Sequence, residues 1–216
     1  MVVTPPLVIS LFKNLLWKVN TKAKEIYLTF DDGPTPEITD WVLGQLALYN
    51  AKATFFCIGK NIEMQPEIFS RVIKGGHSIG NHTNNHLNGW KTNVSNYLDN
   101  TEKAQENISK HLTYTPTPRW FRPPYGKITP SQAKELKKRN YHIVMWHVVS
   151  YDWDNTISPE ICFENIKKNT KEGSIIVLHD SVKAYPNLRE VLPRTLEFYT
   201  KKGYHFKGLD NRNNFK

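Results

Sequence analysis

Short apolar runs rich in β-branched and aromatic residues recur seven times along the 216 residues, each separated from the next by a stretch of helical periodicity. No other feature constrains the fold as tightly. Strands are expected at Ile26 to Phe30, Ala53 to Ile58, Ser78 to Asn81, Trp120 to Phe121, His142 to His147, Ser174 to Leu178 and Tyr204 to Phe206. Helices are expected at Ile38 to Tyr49, Pro66 to Lys74, Val94 to His111, Pro130 to Arg139, Pro159 to Thr170 and Leu188 to Lys201. Thr129-Pro130 and Ser158-Pro159 each set a capping hydroxyl before a proline at the first helical position. Asn187-Leu188-Arg189-Glu190 has the spacing of a capping box. Gly75-Gly76, Gly173 and Gly203 follow helices where a left-handed residue is wanted. Strand and helix in alternation imply parallel pairing through right-handed crossovers. Runs this apolar require helices over the sheet. A single barrel-like α/β domain is the economical outcome, with an open doubly wound sheet as the alternative.

The composition is that of an ordinary globular chain: 39% hydrophobic, 12% aromatic and 23% charged, with no low-complexity tract. The net charge of +9 favours acidic partners, but the basic residues are scattered. Pairs such as Lys137/Lys138, Lys167/Lys168 and Lys201/Lys202 fall late in expected helices, where they also suit the helix dipole. A nucleic-acid binder would need clustered basic residues among exposed aromatics, and no such motif is present. Cys57 lies in the apolar run Thr54-Phe55-Phe56-Cys57-Ile58 and reads as a small buried hydrophobe; with Cys162 it makes no disulfide framework. The stretch Leu7 to Trp17 lacks a basic leader and a small-residue cleavage site, so it makes a poor signal peptide, and it is too short and interrupted to span a membrane. Residues 1–25 are therefore expected to pack on the domain as an amphipathic segment, 26–210 to form the catalytic domain and 211–216 a tail. The compartment stays open, and no obligate protein partner is evident.

In folds of this class function gathers at the carboxyl ends of strands, and the unusual residues lie there. Asp31-Asp32-Gly33-Pro34 ends the first strand. Adjacent carboxylates on extended chain point apart, so one could hold a metal while the other acts as a base; a polar turn is the ordinary alternative. His82 and His86, four residues apart, lie on one side of a helical turn and can converge on one ion. With one aspartate they make a two-His, one-carboxylate set that leaves positions open for water and substrate, a composition suited to zinc and also to cobalt, nickel or manganese. Arg122-Pro123-Pro124-Tyr125-Gly126 is a stiff segment whose arginine can pair bidentately with a carboxylate and whose Tyr125 N–H can serve an oxyanion. Asp152-Trp153 and Leu178-His179-Asp180 complete the group, with His179 a candidate general acid and Trp153 either a substrate wall or a core aromatic.

These five segments, in this order, resemble the five motifs of the polysaccharide deacetylases, carbohydrate esterase family 4, across residues 26–209. The resemblance implies a distorted (β/α) barrel of about seven parallel strands and a metal-dependent hydrolase that removes acetyl groups from a polysaccharide. Chitooligosaccharide- or peptidoglycan-like glycans built on N-acetylglucosamine are favoured, with acetylxylan as the alternative. By resemblance, Asp31 is the base and Arg122 holds it. Asp32, His82 and His86 bind the metal, zinc first. Tyr125 supplies the backbone oxyanion donor. Asp152 tunes the acid His179. Trp153, Ile176, Leu178 and Pro123 line the substrate side. Two positions depart from the pattern: Val149 stands where many members have aspartate, and Ile176 where leucine is usual. A glycan-binding module of the same fold would lack a catalytic group, and none is missing. Hydrolysis of some other amide is a further alternative, against which the paired aspartates and Leu178-His179-Asp180 speak.

Overall fold

The computed structural model describes residues 2–112 and 118–210. The expected tail, 211–216, lies outside them. Eight strands, all paired in parallel, form the sheet: β1 (Glu25–Asp31), β2 (Thr54–Cys57), β3 (Ser78–Asn81), β4 (Arg119–Phe121), β5 (Tyr141–Ile143), β6 (Val148–Val149), β7 (Ile175–His179) and β8 (His205–Phe206). Seven run in the order β5-β4-β3-β2-β1-β7-β6, and β8 pairs the amino end of β1. The helices are α1 (Pro6–Leu11), α2 (Ile38–Leu48), α3 (Gly59–Met64), α4 (Pro66–Lys74), α5 (Val94–Ser109), α6 (Pro130–Lys138), α7 (Pro159–Asn169) and α8 (Tyr185–Lys201). The result is a distorted (β/α) barrel, open between β5 and β6.

Alternation along each strand sorts the core. Leu28, Phe30, Ile176 and Leu178 join Phe55, Cys57, Leu188 and Leu192 in the layer beneath the helices. Tyr27, Phe56, Trp120, Val144 and Ile175 form a separate inner cluster. The caps follow the sequence signals. Thr129 and Gln132 form a complete capping box, and Ser158 accepts from the Ile161 N–H. Gly76, Gly173 and Gly203 all have φ between 71° and 75°.

Two expectations are corrected here. The run His142 to His147 is not one strand. It breaks after Ile143 because other groups take its backbone: the Met145 N–H donates to Leu16 O at 2.7 Å, and the Met145 carbonyl accepts from the Arg122 guanidinium at 2.9 Å. β6 then starts separately at Val148. Asn187 caps nothing; α8 already begins at Tyr185, and the Asn187 amide donates to the carbonyls of Asp152, Asp154 and Ile157 at 3.1–3.3 Å. Two one-and-a-half-turn helices, α1 and α3, carry too little periodicity to be seen in sequence.

The segment before β1 crosses the open seam of the barrel. Leu16 bridges Val144, Val3 bridges Val148 and Lys18 bridges Ser174. Trp17 and Val19 are buried there, while Leu7, Leu11 and Phe12 stay exposed. Among the described residues no helix is long and apolar enough to cross a membrane.

Candidate active site

β1 delivers Asp31 to the carboxyl edge of the barrel, in register with His179 at the end of β7. Asp31 is nearly inaccessible, and Arg122, just beyond β4, is completely so. Nη1 of Arg122 donates to Asp31 Oδ1 at 2.7 Å and to Thr29 Oγ1 at 2.6 Å. Nη2 and Nε turn to the carbonyls of Met145 and Val144. The guanidinium also lies 4.2 Å from the Phe56 ring centre. The expected bidentate pairing with a carboxylate is thus a single bond, because the other nitrogens serve the backbone released after β5. Burial works to raise the Asp31 pKa, but Arg122, His82 and His179 together outweigh it and leave the carboxyl below its ordinary value.

The next residue turns away, as alternation requires. Asp32 takes a left-handed conformation (φ 82°), and its Oδ1 sits 3.2 Å from His86 Nε2 and 3.7 Å from His82 Nε2. That oxygen is buried and has no hydrogen-bond partner. Ligand atoms of Asp32, His82 and His86 all lie within 4.8 Å of one another. His82 Nδ1 is 2.7 Å from the Arg122 carbonyl, which can only accept, so Nδ1 carries the proton and Nε2 keeps its lone pair. Burial, foremost, lowers the His82 pKa to about 4, so the ring is neutral at neutral pH. His86 Nδ1 contacts the Tyr125 hydroxyl at 3.0 Å. A buried oxygen without a donor, facing two imidazole nitrogens, fits a divalent cation and fits little else. The histidines do not rise from a helical turn, as their spacing suggested. Residues 82–88 form an irregular loop in which Thr83 and His86 have φ of 61° and 54°. Left-handed residues concentrate here: Asp32, Thr83, His86, Tyr125 and Tyr151 are five of eight such non-glycine residues among those described. Strain of about 1–3 kcal/mol at each is what a site held by its surroundings looks like.

On the opposite flank Asp152 is buried beneath His179. Its Oδ2 accepts the His179 backbone N–H at 2.7 Å, and its Oδ1 lies 2.9 Å from His179 Nδ1. Burial pulls the imidazole pKa down, yet Asp152, by charge and hydrogen bond, with Asp32 and Asp31 behind it, carries it up to about 9. Trp153 is half-buried and meets the His179 ring edge-on at 4.8 Å between centres. Pro123 and Pro124 are buried, and Tyr125 is exposed above them. Trp90 is on the surface with Lys127 5.3 Å from its ring centre. The structure brings together Asp31, Asp32, His82, His86, Arg122, Tyr125, Asp152, Trp153 and His179. It does not bring Ile176 or Leu178 to their open side, since both are fully buried with Phe30 and Leu188.

Thr29 and Ser150 escaped the sequence reading, and Asp180 and Asn187 were named in it without the supporting roles they take. Thr29 stands two before Asp31, on the same strand face, and relays Arg122 to the Ile176 carbonyl; period two alone signals it. Ser150 touches Asp152, and Asn187 holds the chain that carries it. Asp180 is buried, accepts from the Gly33 N–H at 3.1 Å and from Thr39 Oγ1 at 2.5 Å, and burial pushes its pKa up to about 7.

Comparison with known proteins agrees with this geometry. Residues 18–144 match the family model described as polysaccharide deacetylase. The chain belongs to the polysaccharide deacetylase family. A peptidoglycan-N-acetylglucosamine deacetylase of Bacillus cereus is 37% identical over 195 residues, 88% of each chain. A second from the same organism is 40% identical over 157 residues, which are 73% of this chain and only 56% of that one. The peptidoglycan-N-acetylmuramic acid deacetylase PdaA of Bacillus subtilis is 31% identical over 194 residues, 89% of this chain and 72% of that one. A crystal structure of the Bc1960 peptidoglycan N-acetylglucosamine deacetylase superposes with a TM-score of 0.86 at 33% identity, covering 95% of both chains. Membership of this family and the candidate centre of Asp32, His82 and His86 together support a divalent metal in this protein.

Proposed function

We propose that this deacetylase removes N-acetyl groups from an N-acetylglucosamine-containing glycan, peptidoglycan first, using zinc at Asp32, His82 and His86. The observation that carries the reading is the pair of opposed environments beside the triad. Arg122 keeps Asp31 ionised, and Asp152 keeps His179 protonated, on neighbouring strands in register. A metal held there supplies Lewis acidity, drawing the pKa of a bound water from about 15.7 toward about 7. Asp31 accepts the proton of the attacking water. The Tyr125 N–H, the first past two prolines, donates to the oxyanion that builds on the acetyl group, where one such donor is worth about 3 kcal/mol. Asp152 engages Nδ1 of His179, so Nε2 is the end that gives its proton to the departing amine, a role worth about 10²–10⁴ in rate. Trp153, partly open beside His179, offers a wall for the acetyl methyl or the sugar ring. Relatives named as peptidoglycan deacetylases support the choice of glycan.

Acetate release from N-acetylglucosamine oligomers and from peptidoglycan tests the proposal, with and without chelator, followed by addition of zinc, cobalt, nickel or manganese. Release that is lost with chelator and restored best by zinc is the expected result. Restoration by another ion changes the metal. Release from acetylxylan alone moves the reaction to esters. No release from any of these by protein that holds metal overturns the deacetylase assignment.

A further inference from the structure

Three of the nine large hydrophobic side chains exposed among the described residues fall within six consecutive positions: Leu7, Leu11 and Phe12. Single exposed hydrophobics are ordinary, whereas a cluster marks a surface with a use. Leu7 and Leu11 are one helical turn apart on α1, while Val8 and Ile9 turn inward against Trp17 and Tyr141. Residues 2–24 hold four lysines and no acidic residue.

Beside α1 opens a cavity of about 940 Å³. Lys13, Lys18, Lys137, Lys171, His142 and His147 line it, and no carboxylate does. Like charges crowd one another there. Burial and then Lys171 pull the Lys18 pKa below its usual value, with Glu172 acting in the opposite direction and itself engaged by the Tyr204 hydroxyl. Burial likewise lowers Lys137, and burial foremost, then Lys137, lowers His142. Four lysines, Lys13, Lys18, Lys137 and Lys171, gathered around one cavity with no carboxylate in its lining favour an anionic partner.

The position of this face in the fold is informative. Of the cavity's lining, Tyr141 opens β5, His147 stands just before β6 and Lys171 precedes β7, so the face lies toward the amino ends of the strands. Asp31 and His179 stand at the carboxyl ends. A partner engaged through α1 would leave the metal site facing away from it. An anionic glycan or nucleic acid would satisfy the lysines but gives nothing to bury Leu7, Leu11 and Phe12. A second copy of the chain would cover those side chains but oppose lysine to lysine. A bilayer with acidic headgroups answers both at once.

We propose that this face docks on an anionic lipid surface, with Leu7, Leu11 and Phe12 inserted among the headgroups and the surrounding lysines against lipid phosphates. Insertion and charge are two weak signals that together give reversible attachment, short of a spanning helix. The proposal stands apart from the deacetylase assignment and uses none of its residues.

Flotation of the whole chain with vesicles tests it, comparing phosphatidylcholine alone with an equal mixture of phosphatidylcholine and phosphatidylglycerol. Binding to the mixed vesicles, weak binding to the neutral ones and release in about 1 M salt, where the screening length falls to about 3 Å, are expected. The L7S/L11S/F12S variant should bind the mixed vesicles about a hundredfold less, and K13E about fivefold less, with melting temperatures unchanged because all four side chains are exposed. Three outcomes overturn the proposal. One is no preference for the acidic vesicles. Another is undiminished binding by the triple variant. The third is a parent chain that is dimeric in solution and becomes monomeric in that variant, which would make the patch an interface between copies.

Discussion

Replacing Arg122 by methionine removes a charge but little volume, which isolates what the guanidinium does. The side chain has no solvent exposure and makes four hydrogen bonds, one to Asp31, one to Thr29 and two to carbonyls released by the end of β5. Without it Asp31 stays buried with no cation in contact, a situation that costs about 3–5 kcal/mol. That is a large part of the 5–15 kcal/mol that typically separates folded from unfolded chains. The loss depends on pH, and its sign follows from Asp31. In the parent the Asp31 pKa is depressed, so its contribution is complete above the unfolded value near 3.9 and disappears as pH falls through the folded value. In R122M burial, the largest influence, is opposed only by His82 and His179 and the pKa rises, so ionised Asp31 becomes a penalty at neutral pH that protonation relieves. Urea unfolding at pH 7 and near pH 5 should therefore show a wide gap between parent and variant that narrows in acid. R122M/D31N should recover a good part of the neutral-pH loss, because no charge is then left buried. An R122M chain within about 0.5 kcal/mol of the parent at pH 7, or a double variant no better than the single one, would show that the pair does not act as a buried unit.

Three further outcomes are expected. In metal-free protein the His179 ring should titrate near pH 9 by NMR, and Asp152→Asn should bring it down below the ordinary imidazole value, because burial then prevails. Since the folded value is raised, this group's stabilising contribution is complete below about pH 6.5 and is lost as pH rises through about 9, which thermal melts across that window will report. His82→Ala should lower zinc affinity by at least about a hundredfold while the fold persists, and unchanged metal content after dialysis would remove it from the ligand set. Gly33→Ala puts a Cβ 2.0 Å from Asp180 Oδ2, an oxygen pinned by Thr39, and should cost about 1–3 kcal/mol; an unaltered melting temperature would mean that the turn can yield.

Most of this architecture is legible before any coordinate. The strands that carry Asp31 and His179 are short apolar runs bounded by polar turn residues, and period two sets which of Asp31 and Asp32 faces Arg122. The helices announce themselves through proline and hydroxyl caps at Thr129 and Ser158. The failures share a cause, which is tertiary contact overriding a local signal. His142 to His147 looks like one strand because its side chains are apolar, but Leu16 and Arg122 claim its backbone. Asn187 has the spacing of a cap but spends its amide on three carbonyls of the loop after Asp152. His82 and His86 converge as their spacing of four suggests, though through left-handed loop residues rather than a helix, since two rings can meet an ion by either route. Ile176 and Leu178 match a motif in sequence, yet alternation on β7 places them with the helix-facing core. Trp90 could not be assigned from sequence, because a tryptophan in a polar loop serves a core or a surface equally well.

The seam between β5 and β6 is closed by chain made long before it. Leu16 can give its carbonyl to Met145 only after residue 145 has been synthesised, and Met145 in turn presents a carbonyl to Arg122. Contacts so distant in sequence form late. On the ribosome, β1 and its two aspartates therefore emerge early but wait for the end of β5 before Arg122 is fully held. Whatever delays or loosens residues 2–18 would act on the protonation of Asp31 through Met145 and Arg122. Trimming the protein to begin at β1 would then yield a chain that keeps every candidate catalytic side chain and still works badly.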